Sequence, residues 1–142
     1  MKQRIPRRAW SAPRPAGRPR LLIEDAHPAL AISDFSLFQD AGLDVAFCSG
    51  PGGDPQACPL QRGQPCPLLA GADVVLHGLD PALGIAAAIR HRHPGLPVVI
   101  EQHRHETGSA DPIPAGCVPL RYPCSVNGQI DAVLRAVATR PH

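Results

Sequence analysis

Aromatic residues are nearly absent from this chain. Three Phe, one Tyr and one Trp are all that its 142 residues carry, so a core has to be assembled from Ala, Val, Leu and Ile. No apolar run nears the roughly 20 residues that span a bilayer. No apolar stretch follows Arg7-Arg8 to make an export signal, so a cytoplasmic protein is expected. Cys-x-x-Cys pairs are missing too, which sets the five cysteines apart from a zinc ribbon. In a reducing compartment they read as thiols or metal ligands, not as a disulfide framework. There is no Gly-x-Ser-x-Gly elbow and no phosphate-binding glycine loop with its lysine. Gly50-Pro51-Gly52-Gly53 has neither a lysine nor a helix start behind it and reads as loop punctuation. No enzymatic activity is therefore expected.

Acidic residues are missing from the first twenty positions. Seven of the 14 basic residues lie there, which leaves seven against all 12 acids and a body of net charge −5. Prolines and mutually repelling arginines predict a disordered basic tail over residues 1–19. No aromatic or heptad pattern accompanies the charge. The tail thus reads as solvated, with at most a weak electrostatic pull on nucleic acid or another acidic surface. Of the 18 prolines and 13 glycines, most fall in the N-terminus, residues 50–67 and residues 108–123, and these are the expected irregular segments.

The rest alternates strand and helix. Leu21 to Ile23 is a first apolar run, ending at Glu24-Asp25. Pro28 opens a helix to about Ala41 in which Leu30, Leu37, Phe38 and Ala41 share a face, and Gly42 ends it. Leu43 to Cys48 is a second strand. Little more than a turn at Leu68-Leu69 fits where a second helix would stand. Val74 to Leu76 is a third run, short and without alternation, as suits a strand covered on both faces. Asp80 and Pro81 have the chemistry of a helix start. Ala82, Ile85, Ala86 and Ile89 recur at helical spacing, and Arg90 to His93 suit the last turn. Leu96 to Ile100 is a fourth strand. Gln102 to Ala115 is polar and without helical period. Gly116 to Leu120 is a fifth strand, whose Pro119 places it at an edge. Ser125 can cap a last helix with Val126, Ile130, Val133, Leu134 and Val137 on one face.

This alternation predicts an α/β doubly wound domain over residues 20–140. Its sheet has five parallel strands in order 2-1-3-4-5, with the second and fourth helices short or missing. Ligands of such sheets sit off the carboxyl ends of the strands. That rule nominates Asp25, Cys48, His77 to Asp80, Gln102 to His105, and Tyr122 to Ser125.

Those five tips, in that order, resemble the receiver domain of bacterial response regulators, a CheY-like, flavodoxin-like fold. RLLIEDAHP is similar to the strand bearing an acidic pair, DVVLHGLDP to the strand bearing the phosphoacceptor, and LPVVIE to the fourth strand. A Tyr-Pro-Cys-Ser turn precedes the last helix. The resemblance implies a two-component signalling module in a phosphorelay, with Mg²⁺ held by the acidic pair and the acceptor aspartate. The pair is present as Glu24-Asp25, or as Asp25 alone if the strand is one residue longer. The acceptor position falls on Gly78, or on His77 if Pro81 sets the register. Gln102 stands at the hydroxyl position and Tyr122 at the lysine. Asp80 is the nearest alternative acceptor but is better explained as the helix cap. The expectation is a pseudo-receiver that binds a partner protein or a second copy of itself. The resemblance puts that surface on the last helix and fifth strand, with Arg121, Tyr122 and Gln129 as candidates. No cofactor is expected from the residues, with Mg²⁺ at the acidic tips and Zn²⁺ at the cysteines as the two open alternatives.

One motif lies outside the resemblance. Cys48-x9-Cys58-Pro-Leu-x5-Cys66-Pro-Leu repeats Cys-Pro-Leu beside a strand tip. Two readings stand beside each other: small hydrophobes packing a long loop, or a thiol-redox or metal-responsive sensor on the same scaffold. His77, His103 and His105 could add a small cation site with Asp25 or Glu24, or be solvated loop histidines.

Overall fold

The computed structural model describes residues 7–8, 10, 14–52, 54, 57–103, 108, 112–121 and 123–139. Six strands form one sheet: β1 (Arg7–Arg8), β2 (Arg20–Asp25), β3 (Asp44–Cys48), β4 (Val74–Gly78), β5 (Val98–Gln102) and β6 (Val118–Arg121). Their spatial order is β1-β3-β2-β4-β5-β6. β2 to β6 are parallel, and counted among themselves they run 2-1-3-4-5, the predicted order. Four helices accompany them: α1 (Pro28–Asp40), α2 (Pro67–Ala70), α3 (Ile85–Arg92) and α4 (Val126–Ala138).

Alternation along each strand splits the apolar residues between two layers. Leu22, Ala46, Val75, Val98 and Ile100 face α2 and α3, where Leu68, Leu69, Ile85 and Ile89 cover them. Leu21, Ile23, Val45, Val74, Leu76 and Val99 face the other way, under Phe38 of α1 and Ala132, Val133 and Ala136 of α4. Leu, Val and Ile thus fill both layers, with Phe38 as the one fully buried aromatic side chain among the described residues. Each such burial contributes about 1.5–3 kcal/mol.

Several boundaries differ from the predicted ones. Asp80 does cap, its Oδ1 accepting from Ala82 N at 2.9 Å. What it caps is a 3-10 turn, Pro81–Leu83. Gly84 then turns left-handed and α3 starts at Ile85, so Ala82 lies outside the buried face. Leu37 and Leu134 are exposed, at 47% and 38%, not core. Among the described side chains of α1 the burial falls on Phe38, with Leu30 outside them, and in α4 it falls on Ala132, Val133 and Ala136. α2 is a single turn, as expected. Among the described residues between Gln102 and Val118 there is no helix, and Ile113 packs there against the α3-side core.

The largest departure is the N-terminal segment. Its described part is not a free tail. Arg7–Arg8 pairs antiparallel with Phe47 and Cys48 of β3. Trp10 Nε1 donates to Leu68 O at 2.9 Å, and the Arg20 guanidinium stacks 5.4 Å from the Trp10 ring centroid. Arg14 pairs with Asp73, Arg18 donates to Gln39 O and Leu43 O, and Arg20 Nε meets Asp44 Oδ2 at 3.1 Å. Three of the arginines that made the segment basic are thus engaged within the fold.

Candidate functional site

At the carboxyl end of the sheet, register fixes which residues meet. Glu24 stands between Cys48 and His77 on the neighbouring strands, and Asp25 stands beside Gly78. Successive residues point to opposite faces. The chain-adjacent acids therefore enter two different sites.

On the α1/α4 face lies a crevice of about 470 Å³ lined by Asp25, Asp34, Gly78, Asp80, Glu101 and Gln129, among others. Gly78 lines it, and there is no room for a side chain at that position. A Cβ there would stand 2.8 Å from Glu101 Oε2 and 3.3 Å from the Glu24 carbonyl oxygen. Glu101 reaches over from β5, held by Gln129 Nε2 donating to its Oε1 at 3.2 Å. Burial pushes the Glu101 carboxyl above its usual range. The neighbouring Asp25 charge raises it further, while His103 and His77 oppose the rise. Asp25 itself accepts from His27 N at 2.8 Å, closing the turn before α1.

On the α2/α3 face, Glu24 and His77 are both buried, at 6% and 2% exposure. His77 Nδ1 and Glu24 Oε1 are 2.7 Å apart; a carboxylate only accepts, so the imidazole N–H is the donor. Glu24 also lines a cavity of about 210 Å³ together with Cys48, Cys58 and Cys66. None of the five cysteines is in a disulfide. The cysteines share a cavity, but among the described residues no three His, Cys, Asp or Glu side chains are grouped so as to hold a metal ion.

The sequence-nominated residues therefore divide. Asp25, Gly78 and Asp80 reach the crevice, whereas Glu24 and His77 pair on the opposite face. Gln102 ends β5, next in the chain to Glu101. Arg121 is exposed at the end of β6. Gln129, expected on a partner surface, instead reaches into the crevice and holds Glu101. Tyr122 and His105 lie outside the described residues. Glu101 was not singled out by sequence; its role depends on how β5 registers against β4, where Ile100 pairs with His77. The Mg²⁺ of receivers needs an acidic pair converging with an acceptor aspartate. Here Glu24 is paired with His77 and Gly78 carries no carboxylate, so the residues present do not make that donor set.

No family pattern and no curated protein matches the sequence. Solved structures do. A response regulator receiver protein from Sinorhizobium medicae superposes with a TM-score of 0.59 at 19% identity, covering 87% of this chain and 98% of that one. A receiver domain protein from Clostridium thermocellum gives 0.61 at 17%, covering 84% and 94%. A putative pilus assembly-related protein from Burkholderia pseudomallei gives 0.57 at 23%, covering 89% and 94%. The fold is the receiver fold of two-component signalling proteins.

Proposed function

We propose that this chain is a receiver-like signalling domain that works without phosphorylation, by binding a protein partner in the cytoplasm. The observation that carries the reading is the Gly78–Glu101 contact. The strand tip that would bear an acceptor has no side chain, and a neighbour's carboxylate already occupies the space beside it. Asp80, the alternative acceptor, is engaged in capping the turn it precedes. In this reading the domain has no catalytic role. Its output surface is the outer side of α4 and β6, where Val118 and Leu134 are exposed at 42% and 38% and Arg121 is exposed as well. Large apolar side chains exposed there suit a protein partner or a second copy. No helix among the described residues is long and apolar enough to cross a membrane.

Acetyl phosphate with Mg²⁺, read by intact mass, tests the phosphorylation half. The mass should stay unchanged, and beryllofluoride should leave the amide spectrum unmoved. Gain of one phosphoryl group, or beryllofluoride shifts centred on Asp25 and Asp80, would overturn the reading.

A further inference from the structure

The repeated Cys-Pro-Leu motif is the same local structure built twice. Cys58 (φ −102, ψ 115) and Cys66 (φ −102, ψ 119) are both extended, as a residue before proline must be. Pro59 and Pro67 then each open a short helical turn, and Leu60 and Leu68 drop into the core. Each cysteine thus occupies a cap position that ordinarily takes Ser, Thr, Asp or Asn, yet neither side chain caps. What the two thiols share is the cavity they line with Cys48.

The other walls of that cavity are Leu22, Leu60, Leu68, Leu79 and Ile85, and its charged member is the buried carboxylate of Glu24. Gly50 closes the rim at positive φ, its Cα packed against Leu79 so that a Cβ would stand 2.9 Å from that side chain. Cys48 is distinguished from the other two thiols in two ways. Gly50 N donates to its Sγ at 3.4 Å, which fixes the sulfur at the rim of the cavity. It also stands next to Glu24 across the β2–β3 pairing, on the same face.

From this placement we propose a covalent binding site for a small apolar electrophile of the α,β-unsaturated carbonyl class, with Cys48 as nucleophile and Glu24 as its base. The size suits a ring or short chain of about eight heavy atoms, since a 150 Å³ apolar cavity takes benzene and this one is about 210 Å³. Glu24 Oε2 takes the thiol proton, and the Cys48 sulfur forms a bond to the β-carbon as the carbon–carbon double bond opens. The electron pair passes to the carbonyl oxygen as an enolate. The proton held by Glu24 returns to the α-carbon, so the adduct is the whole electrophile and nothing leaves. His77 steadies Glu24 from the far side. Cys58 and Cys66 line the same pocket from the loop that follows β3. This site is independent of the proposed partner surface and lies on the opposite face from the receiver crevice.

The full chain treated with cyclohex-2-enone should gain one ketone mass, mapped by peptide digestion to Cys48. Acrylamide, polar and smaller, should react more slowly and without that preference. Cys48→Ser should abolish the adduct. Glu24→Gln should slow it about a hundredfold or more, as loss of a positioned base does, without moving its position. Ala57→Trp, a change at an exposed rim residue that leaves the core untouched, should close the entrance and slow the enone far more than acrylamide. Labelling spread evenly over the five cysteines, or led by Cys58, Cys66, Cys117 or Cys124, would overturn the assignment. Enone and acrylamide slowed equally by Ala57→Trp would overturn the cavity's part in it, and an unslowed Glu24→Gln would overturn the base.

Discussion

On the α2/α3 face of the sheet's carboxyl end, Glu24 and His77 satisfy each other in a buried site beside three thiols. On the α1/α4 face, Asp25 and Glu101 are two carboxylates turned into one crevice, with Gln129 donating to one of them. The two regions are built from adjacent residues of the same strands and differ only by which way each side chain points. One pairs a carboxylate with an imidazole N–H and is structurally settled. The other sets like charges near each other and holds a carboxyl above its normal pKa. An acidic dipeptide at a strand tip is therefore not one functional unit; the pleat decides what each acid does.

The comparison is broken most severely from the buried side. His77→Leu should cost about 3–5 kcal/mol, because it strands a buried carboxylate without its partner. The double change Glu24→Leu/His77→Leu should recover most of that loss in urea unfolding. If the double variant is as unstable as the single one, the pair does not hold that face.

Gly78→Asp should cost about 1–3 kcal/mol by overpacking and by adding a further carboxylate beside Glu101. Glu101→Ala in the same chain should relieve it. The double variant, unlike Gly78→Asp alone, has room for an acceptor, and beryllofluoride binding can be scored on it.

A smaller, pH-dependent effect follows from Glu101. Its folded pKa is raised from the usual 4.5, so the native state holds the proton more tightly than the unfolded chain. That contribution is fully present below 4.5 and is lost as pH rises through the raised value. Glu101→Gln should therefore raise the melting temperature at neutral pH, and the advantage should vanish below pH 4.5. An advantage unchanged across that range would mean that charge is not its source.

The smallest effect on stability is expected where neither face is touched. Val118→Lys with Leu134→Glu should leave stability within about 0.5 kcal/mol per site while removing the exposed apolar side chains of the α4–β6 surface. A pull-down or sedimentation comparison with the parent chain reads the loss of association.

Much of the scaffold was legible before any coordinates. Leu21 to Ile23, Val74 to Leu76 and Leu96 to Ile100 are apolar runs too short and too uniform for anything but covered strands. Pro119, Asp80 and Ser125 each declared their place by their own chemistry. Ser125 does accept from Gly128 N at 3.1 Å. Other features depend on contacts between distant segments, which periodicity does not report. The two residues of β1 carry no strand pattern; they are held by pairing with β3 and by Trp10, whose partner Leu68 is 58 positions away. The crevice was half visible. Asp25 and Gly78 follow from strand ends, but Glu101 filling the space over Gly78 depends on a register that a one-residue slip would reverse. The cysteines were visible as a motif, and their meeting at one cavity was not.

The short pairing of β1 with β3 changes what each border of the sheet presents. Phe47 and Cys48 of β3 meet the chain's own backbone at Arg7–Arg8, so a strand arriving on that side meets β1 there and not β3. At the opposite border Pro119 of β6 has no N–H to give to an added strand. The two margins of one sheet thus offer a newcomer different ladders.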